Sequence, residues 1–276
     1  MATDATREAR PLTPVVIELV GAPGAGKTTL LPAAMEGCRT AGLRPYTVVG
    51  AGRAFAARTL VGRAANAVLR GSLRDKALWA IFLGCRSLSA AAYAARRPRL
   101  ARYVLASVRG RPAAAGARQR KVLHWYVRLV GSYGFLTSRA RAGEALVLDE
   151  GFIHRAVQLH ASEAEVPQEA RIDEYADLVP RPDLLVHVRA PIDVCQRRVR
   201  SRGAWDRFRR KDPEDLSRFV ANAHRATVLI TAAAEARAWP VVEFDNDGSD
   251  PAGAEAALGL RIRTALEEQT RSGQGR

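Results

Sequence analysis

Across residues 53–143 the chain carries a single acidic residue, Asp75, against 19 lysines and arginines. That stretch has a net charge of +18, while the other residues, 24 basic and 27 acidic, come to −3. Lysine is also scarce, with 39 of the 43 basic residues being arginine. A genomic preference for arginine accounts for that choice, but not for the lack of acids in one third of the chain. Cysteine is nearly missing too. Cys38, Cys85 and Cys195 are odd in number and far apart, which excludes a disulfide framework and a metal-binding spacing. They read as small core residues in a reducing cytoplasm. No uninterrupted apolar run reaches the roughly 18–20 residues of a membrane span. The best, residues 77–85, lies between Lys76 and Arg86 and is about half that length. Residues 1–14 lack the apolar stretch of a signal peptide and are expected to be a disordered lead-in, with 269–276 a similar tail.

What is present is enough hydrophobic residue, 47% of 276, for one large domain with a sizeable insert. Residues 15–20 form a β-branched run suited to a buried parallel strand. A helix follows from Lys27 to Thr40, stopped by Gly42, with Pro32 expected to perturb its first turns. Residues 45–49 read as a second strand. From 54 to 141 the pattern is helical, with breaks expected near Gly71, Pro98, Gly110 to Pro112, and Gly131. Strand character returns at 144–149, then at 183–188 before a helix over 192–202. A helix over 214–237, a strand over 240–244 and a helix from Pro251 complete the series. Strands alternating with helices predict a doubly wound α/β parallel sheet covering residues 15–268, with a helical insert at 53–143.

The most specific signal is Gly21-Ala22-Pro23-Gly24-Ala25-Gly26-Lys27-Thr28, followed by Thr29. It satisfies G-x-x-x-x-G-K-[ST] at every fixed position, between a strand and a helix. Glycines let backbone N–H groups close around phosphate oxygens, and the helix aims its positive end at the same anion. Lys27 would reach the β- and γ-phosphates of ATP, and the Thr28 hydroxyl would ligate Mg²⁺. A second carboxylate site stands at Val147-Leu148-Asp149-Glu150-Gly151. Such strand-end acids hold Mg²⁺ or accept the proton of an attacking hydroxyl. Asp149 is assigned to the metal and Glu150 to the acceptor side, although the sequence leaves their roles interchangeable.

With these motifs the chain resembles the thymidylate kinase-like P-loop kinases. The likeness rests on the phosphate loop and on Asp149-Glu150 followed by Arg155 and Gln158. It rests also on residues 182–188 with Pro191, Arg198, Arg202 and Gly203 behind them. It implies a lid over 196–212 in which Arg198, Arg202 and Arg207 fold over the triphosphate, since the planar guanidinium holds phosphate oxygens bidentately. It also implies that Asn246 lies near the adenine base and that Arg155 and Gln158 touch the acceptor. The chain departs from that family where Glu150, rather than arginine, follows Asp149.

The acceptor is expected to be small and anionic, with Arg53 at the start of the basic segment among its contacts. In the helices of that segment, Leu60, Val61, Ala64, Val68 and Leu69 share one face, as do Leu100, Tyr103, Val104 and Val108. Ordinary core-facing helices, a surface for anionic membrane and an anion pocket all fit this pattern. Nucleic acid is disfavoured, since no recognised binding module is visible. Trp125, Tyr126, Tyr133 and Phe135 read as core, and His154 and His160 as structural. A homodimer is left open. The function that follows is transfer of the ATP γ-phosphate to a hydroxyl or phosphate, with a thymidylate-type kinase or a regulatory NTPase as alternatives. Replacing Lys27 by Ala is expected to abolish phosphoryl transfer while the melting temperature stays close to wild type, which parallel turnover and melting measurements would check.

Overall fold

A computed structural model describes residues 13–109, 116–203, 205, 208, 212–248 and 250–271. Five strands form one sheet: β1 (Val15–Val20), β2 (Arg44–Thr47), β3 (Glu144–Leu148), β4 (Leu184–Arg189) and β5 (Val241–Asp245). All neighbours are parallel, in the order β2-β3-β1-β4-β5. Every residue of β1 and β3 is buried, as a strand covered on both faces requires. The chain passes from β1 to β2 on one side and later crosses from β3 past β1 to β4 on the other, so the carboxyl ends of β1, β3 and β4 frame the crevice where such sheets bind ligands. The expected α/β P-loop architecture with a helical insert is the observed one.

Helix α1 (Lys27–Thr40) follows the phosphate loop, and Pro32 sits inside it without ending it. The insert comprises α2 (Val48–Ala56), α3 (Leu60–Val68), α4 (Gly71–Arg96), α5 (Pro98–Arg109) and α6 (Gly116–Thr137). Beyond β3 come α7 (Phe152–His160) and α8 (Glu169–Leu178), two helices that sequence patterning did not resolve. Then follow α9 (Ile192–Ser201), α10 (Pro213–Ala236) and α11 (Pro251–Arg271). The terminal helix includes Gln269, whose side chain donates to the Asp183 carbonyl at 2.9 Å, so the expected tail is ordered as far as Arg271.

Val48 and Val49 are helical, not part of β2. The Thr47 hydroxyl accepts from the Gly50 N–H at 3.3 Å and caps α2, overriding the β-branched pair. The helical insert therefore opens at 48. Gly131 does not break α6; it lets α6 approach α4. A Cβ there would lie 2.3 Å from the Arg86 carbonyl. Breaks do occur at Gly71 and Pro98, and the expected break at 110–112 falls outside the described residues. Of the three cysteines, Cys38 and Cys195 are buried and Cys85 is half-buried.

The insert has a core of its own. Phe55, Phe82, Phe135 and Leu136 pack with Val16, Leu146 and Leu148 from the sheet. Arg58 grips the Glu144 carboxylate with both guanidinium nitrogens, one of them at 2.9 Å, and clamps the insert to the start of β3. The two amphipathic patterns part company here. Leu100, Tyr103, Val104 and Val108 of α5 are buried as expected, whereas Leu60, Val61 and Val68 of α3 are exposed. α4 also corrects an expectation, since it contains an 18-residue window apolar enough by composition to cross a membrane, with 11% of that window buried. The interruption at Arg86 hid it from a count of uninterrupted apolar residues.

Gly131→Leu is expected to cost about 1–3 kcal/mol in urea denaturation through overpacking against Arg86. Gly84→Ala, with nothing within 4 Å of the new Cβ, is expected to be neutral or stabilising by about 1 kcal/mol.

Candidate active site

The phosphate loop joins β1 to α1. Gly24 and Gly26 have φ of +87° and +100°, a region that favours glycine. Their outer sides are packed as well. A Cβ on Gly24 would lie 2.4 Å from the Cys195 carbonyl of α9, and one on Gly26 would lie 2.2 Å from the Asn246 amide nitrogen. The Asn246 side chain donates to the Ala25 carbonyl at 2.8 Å. Arg198 donates to the carbonyls of Gly24, at 3.2 Å, and Asn246, at 3.3 Å. Two of the residues assigned to nucleotide contact thus also fix the loop from outside.

Lys27 curls over the loop and donates to the carbonyls of Gly21, at 2.6 Å, and Ala22, at 3.2 Å. Burial brings its ammonium down to about 8, against the opposing charges of Glu150 and Asp149, and the Arg202 charge pushes the same way as burial. Lys27, Asp149, Glu150 and Arg202 therefore share one electrostatic site. Thr28 and Thr29 are exposed at the first turn of α1. An exposed threonine hydroxyl, a strand-end carboxylate and a lysine in one field fit a Mg²⁺–triphosphate, in which phosphate oxygens supply most of the metal's ligands. No group of three or more His, Cys, Asp or Glu side chains that could hold a metal alone occurs among the described residues.

Beneath this site lies a residue that sequence reading passed over. Glu18 points from β1 toward the amino end of α7 and is 2% exposed. Its carboxylate accepts from the His154 N–H at 2.8 Å, with the amides of Ile153 and Phe152 also directed at it. Helix α7 has no side-chain cap of its own, so Glu18 serves as one from 136 residues away. Gly151 makes room for it, since a Cβ there would lie 2.3 Å from the carboxylate carbon. Burial raises the Glu18 carboxyl to about 8, despite those amides and the charge of Arg155. Burial likewise holds His154 well below its usual range, assisted by Lys27 and Arg155, and its Nδ1 has no partner. The available signal was an acid inside an otherwise apolar strand.

The first turns of α7 carry Arg155 and Gln158. Arg155 is buried and donates to Glu150 at 2.9 Å and to the Gln158 side-chain oxygen. Its guanidinium lies 5.8 Å from the Trp125 ring, and Lys121 stands 4.8 Å from the same ring. Trp125, read as core, is thus half-buried between two cations. The Arg155 Nε is buried without a hydrogen bond. His160 meets Tyr103 at 3.2 Å, a structural contact, as expected. Arg53 is exposed on α2 with its guanidinium 5.9 Å from the Trp79 ring, and Arg207 lies outside the described residues.

Glu18 also sets a pH dependence. Between about 4.5 and 8 the folded protein holds a proton on Glu18 that the unfolded chain has released, so this group's contribution to stability falls as pH rises. Glu18→Gln removes that loss. The variant is expected to gain on the order of 3 kcal/mol relative to wild type between pH 5 and 8. Paired denaturation curves check this, because buried neutral His154 has the opposite slope in both proteins.

No protein-family model matches the sequence, and no curated protein matches it. Among solved structures, shikimate kinase from Acinetobacter baumannii in complex with shikimate is 16% identical with a TM-score of 0.39, over 95% of this chain and 96% of that one. TT1252 from Thermus thermophilus is 18% identical with a TM-score of 0.37, over 92% of this chain and 97% of that one. Both likenesses are too distant to bear on chemistry. The α/β P-loop fold stands on the sheet order, the glycine-rich loop and the helix that follows it.

Proposed function

We propose that the chain is an ATP-dependent phosphotransferase that moves the γ-phosphoryl group to a small anionic acceptor. The observation that carries this reading is the cluster Arg155, Glu150, Gln158 and Trp125, set beside the lysine of the phosphate loop. A nucleotide hydrolase has no need of a second polar cluster with a buried cation next to its triphosphate. A kinase needs one to orient the acceptor and keep water out.

In this reading Lys27 exchanges the Gly21 and Ala22 carbonyls for β- and γ-phosphate oxygens, and α1 presents its amino end to them. Thr28 and Asp149 would hold Mg²⁺, which supplies positive charge to the leaving and transferring oxygens. Arg155 binds the acceptor's negative group, with Trp125 as an apolar wall. Glu150, positioned by its bond to Arg155, takes the proton of an attacking hydroxyl as the new O–P bond forms and ADP leaves. A phosphate acceptor needs no such proton transfer. Arg202 and the residues after it neutralise charge on the transferring group, and Asn246 and Arg198 keep the loop in shape for the nucleotide.

A screen of anionic sugars, nucleotides and lipid-linked phosphates for transfer of labelled γ-phosphate tests the reading. With the acceptor found, Asp149→Asn is expected to lower kcat by about a hundredfold or more, partly restored by excess Mg²⁺. Arg155→Leu is expected to raise the acceptor KM by roughly tenfold to a hundredfold and leave ATP affinity unchanged. Release of inorganic phosphate alone, whatever acceptor is supplied, would point to a regulatory NTPase. Efficient turnover of dTMP would identify a thymidylate-type kinase instead.

A further inference from the structure

The outer side of the insert lacks the charge that a water-facing helix ordinarily carries. In α3 the only buried residue is Gly62, through which the helix rests on the Ala56 carbonyl. Its large apolar side chains turn outward: Leu60 is 83% exposed, Val68 79%, and Val61 is exposed as well. The pattern runs on through the turn at 69–70 into α4, where Leu73 and Leu88 are exposed. Between Lys76 and Arg96 the one charged residue is Arg86, which is half-buried with its guanidinium 6.0 Å from the Phe82 ring. The exposed side of that stretch holds Ala80, Gly84, Ser87, Leu88, Ala91 and Ala95. At 1.5 Å per residue this is about 30 Å of helix whose one charge is the half-buried Arg86.

A basic rim surrounds it. Arg63, Arg70, Lys76, Arg96 and Arg97 are exposed, and the one acid of residues 53–143, Asp75, is taken by Arg74 at 3.2 Å. We propose that this face docks on a bilayer surface containing anionic lipid, with the apolar side chains of α3 and α4 entering the headgroup boundary and the rim arginines on lipid phosphates. Charge selects this occupant. Two copies meeting through the face would bring arginine rims together with no acids to receive them. A bilayer offers both an apolar interior and phosphate oxygens that match the guanidinium fork.

The contact is peripheral. The inner side of α4 buries Leu78 and Phe82 in the second core, and Gly131 of α6 is packed on the Arg86 carbonyl. The helix cannot span a membrane without dismantling that core, so it lies along the surface.

The test uses the full chain and sedimentation with vesicles of phosphatidylcholine, alone or mixed equally with phosphatidylglycerol. Wild type is expected to pellet with the mixed vesicles only, and less so at high salt. Leu60→Ser with Val68→Ser and Leu88→Ser is expected to weaken partitioning by about tenfold or more. Arg63→Glu with Arg70→Glu is expected to do the same, while both variants keep wild-type melting temperature and ATP-analogue binding. Failure to pellet with mixed vesicles, or equal pelleting of the serine variant, overturns the proposal. So does a wild-type dimer in sedimentation velocity that the serine variant loses, since a second copy would then cover the face. Binding of RNA oligonucleotides in preference to mixed vesicles would overturn it too.

Discussion

A carboxyl group closed off from water on the central strand organises the phosphate-loop end of this protein. Glu18 sits where β1 passes under the start of α7 and receives the amides that begin that helix. The helix in turn carries Arg155 and Gln158, and the turn before it carries Asp149 and Glu150. The same strand runs on, two residues later, into the phosphate loop. One residue therefore ties the phosphate loop to the turn and helix that carry Glu150, Arg155 and Gln158. The arrangement costs stability at neutral pH, because a buried acid and a helix start must share an apolar interior. Preorganising opposing groups at a site commonly entails such a cost.

The arginines divide into groups with different physical roles. Arg58 is a fastener, forked on Glu144 where the insert meets the sheet. Arg155 is enclosed and braced by Glu150 and Gln158. Arg198 holds loop carbonyls. The rim of α3 and α4 is solvated and shapes the field around the molecule. A net charge sums these together and conceals that the first three are committed to particular partners.

Much of the fold could be read from local pattern. β1, β3, α1 and the phosphate loop declare themselves in short contiguous stretches, where burial, glycine placement and the lysine all agree. What escaped reading depends on distant partners. The capping of α7 by Glu18 joins residues 136 positions apart, and nothing near residue 152 announces it. Gly131 looks like a helix breaker until Arg86 of α4 is seen against it. The face shared by Leu60, Val61 and Val68 is evident from periodicity, but periodicity does not say whether a face meets a core or the outside. At Val48 a local signal misled, because Thr47 redirects the chain with one hydroxyl. Trp125 was legible as an aromatic in a helix, but not as a ring between Lys121 and Arg155, since those cations come from separate helices.

The packing of Gly24 on Cys195 bears on how this lineage can drift. Position 24 is one of the four variable places in the phosphate-loop motif, where a family at large tolerates substitution. Here its positive φ and the carbonyl pressed against it each exclude a side chain independently. A change in the backbone would have to come together with a retreat of α9, and that helix carries Arg198. Single steps at this site are closed off, so glycine should persist at position 24 even where neighbouring positions of the loop change.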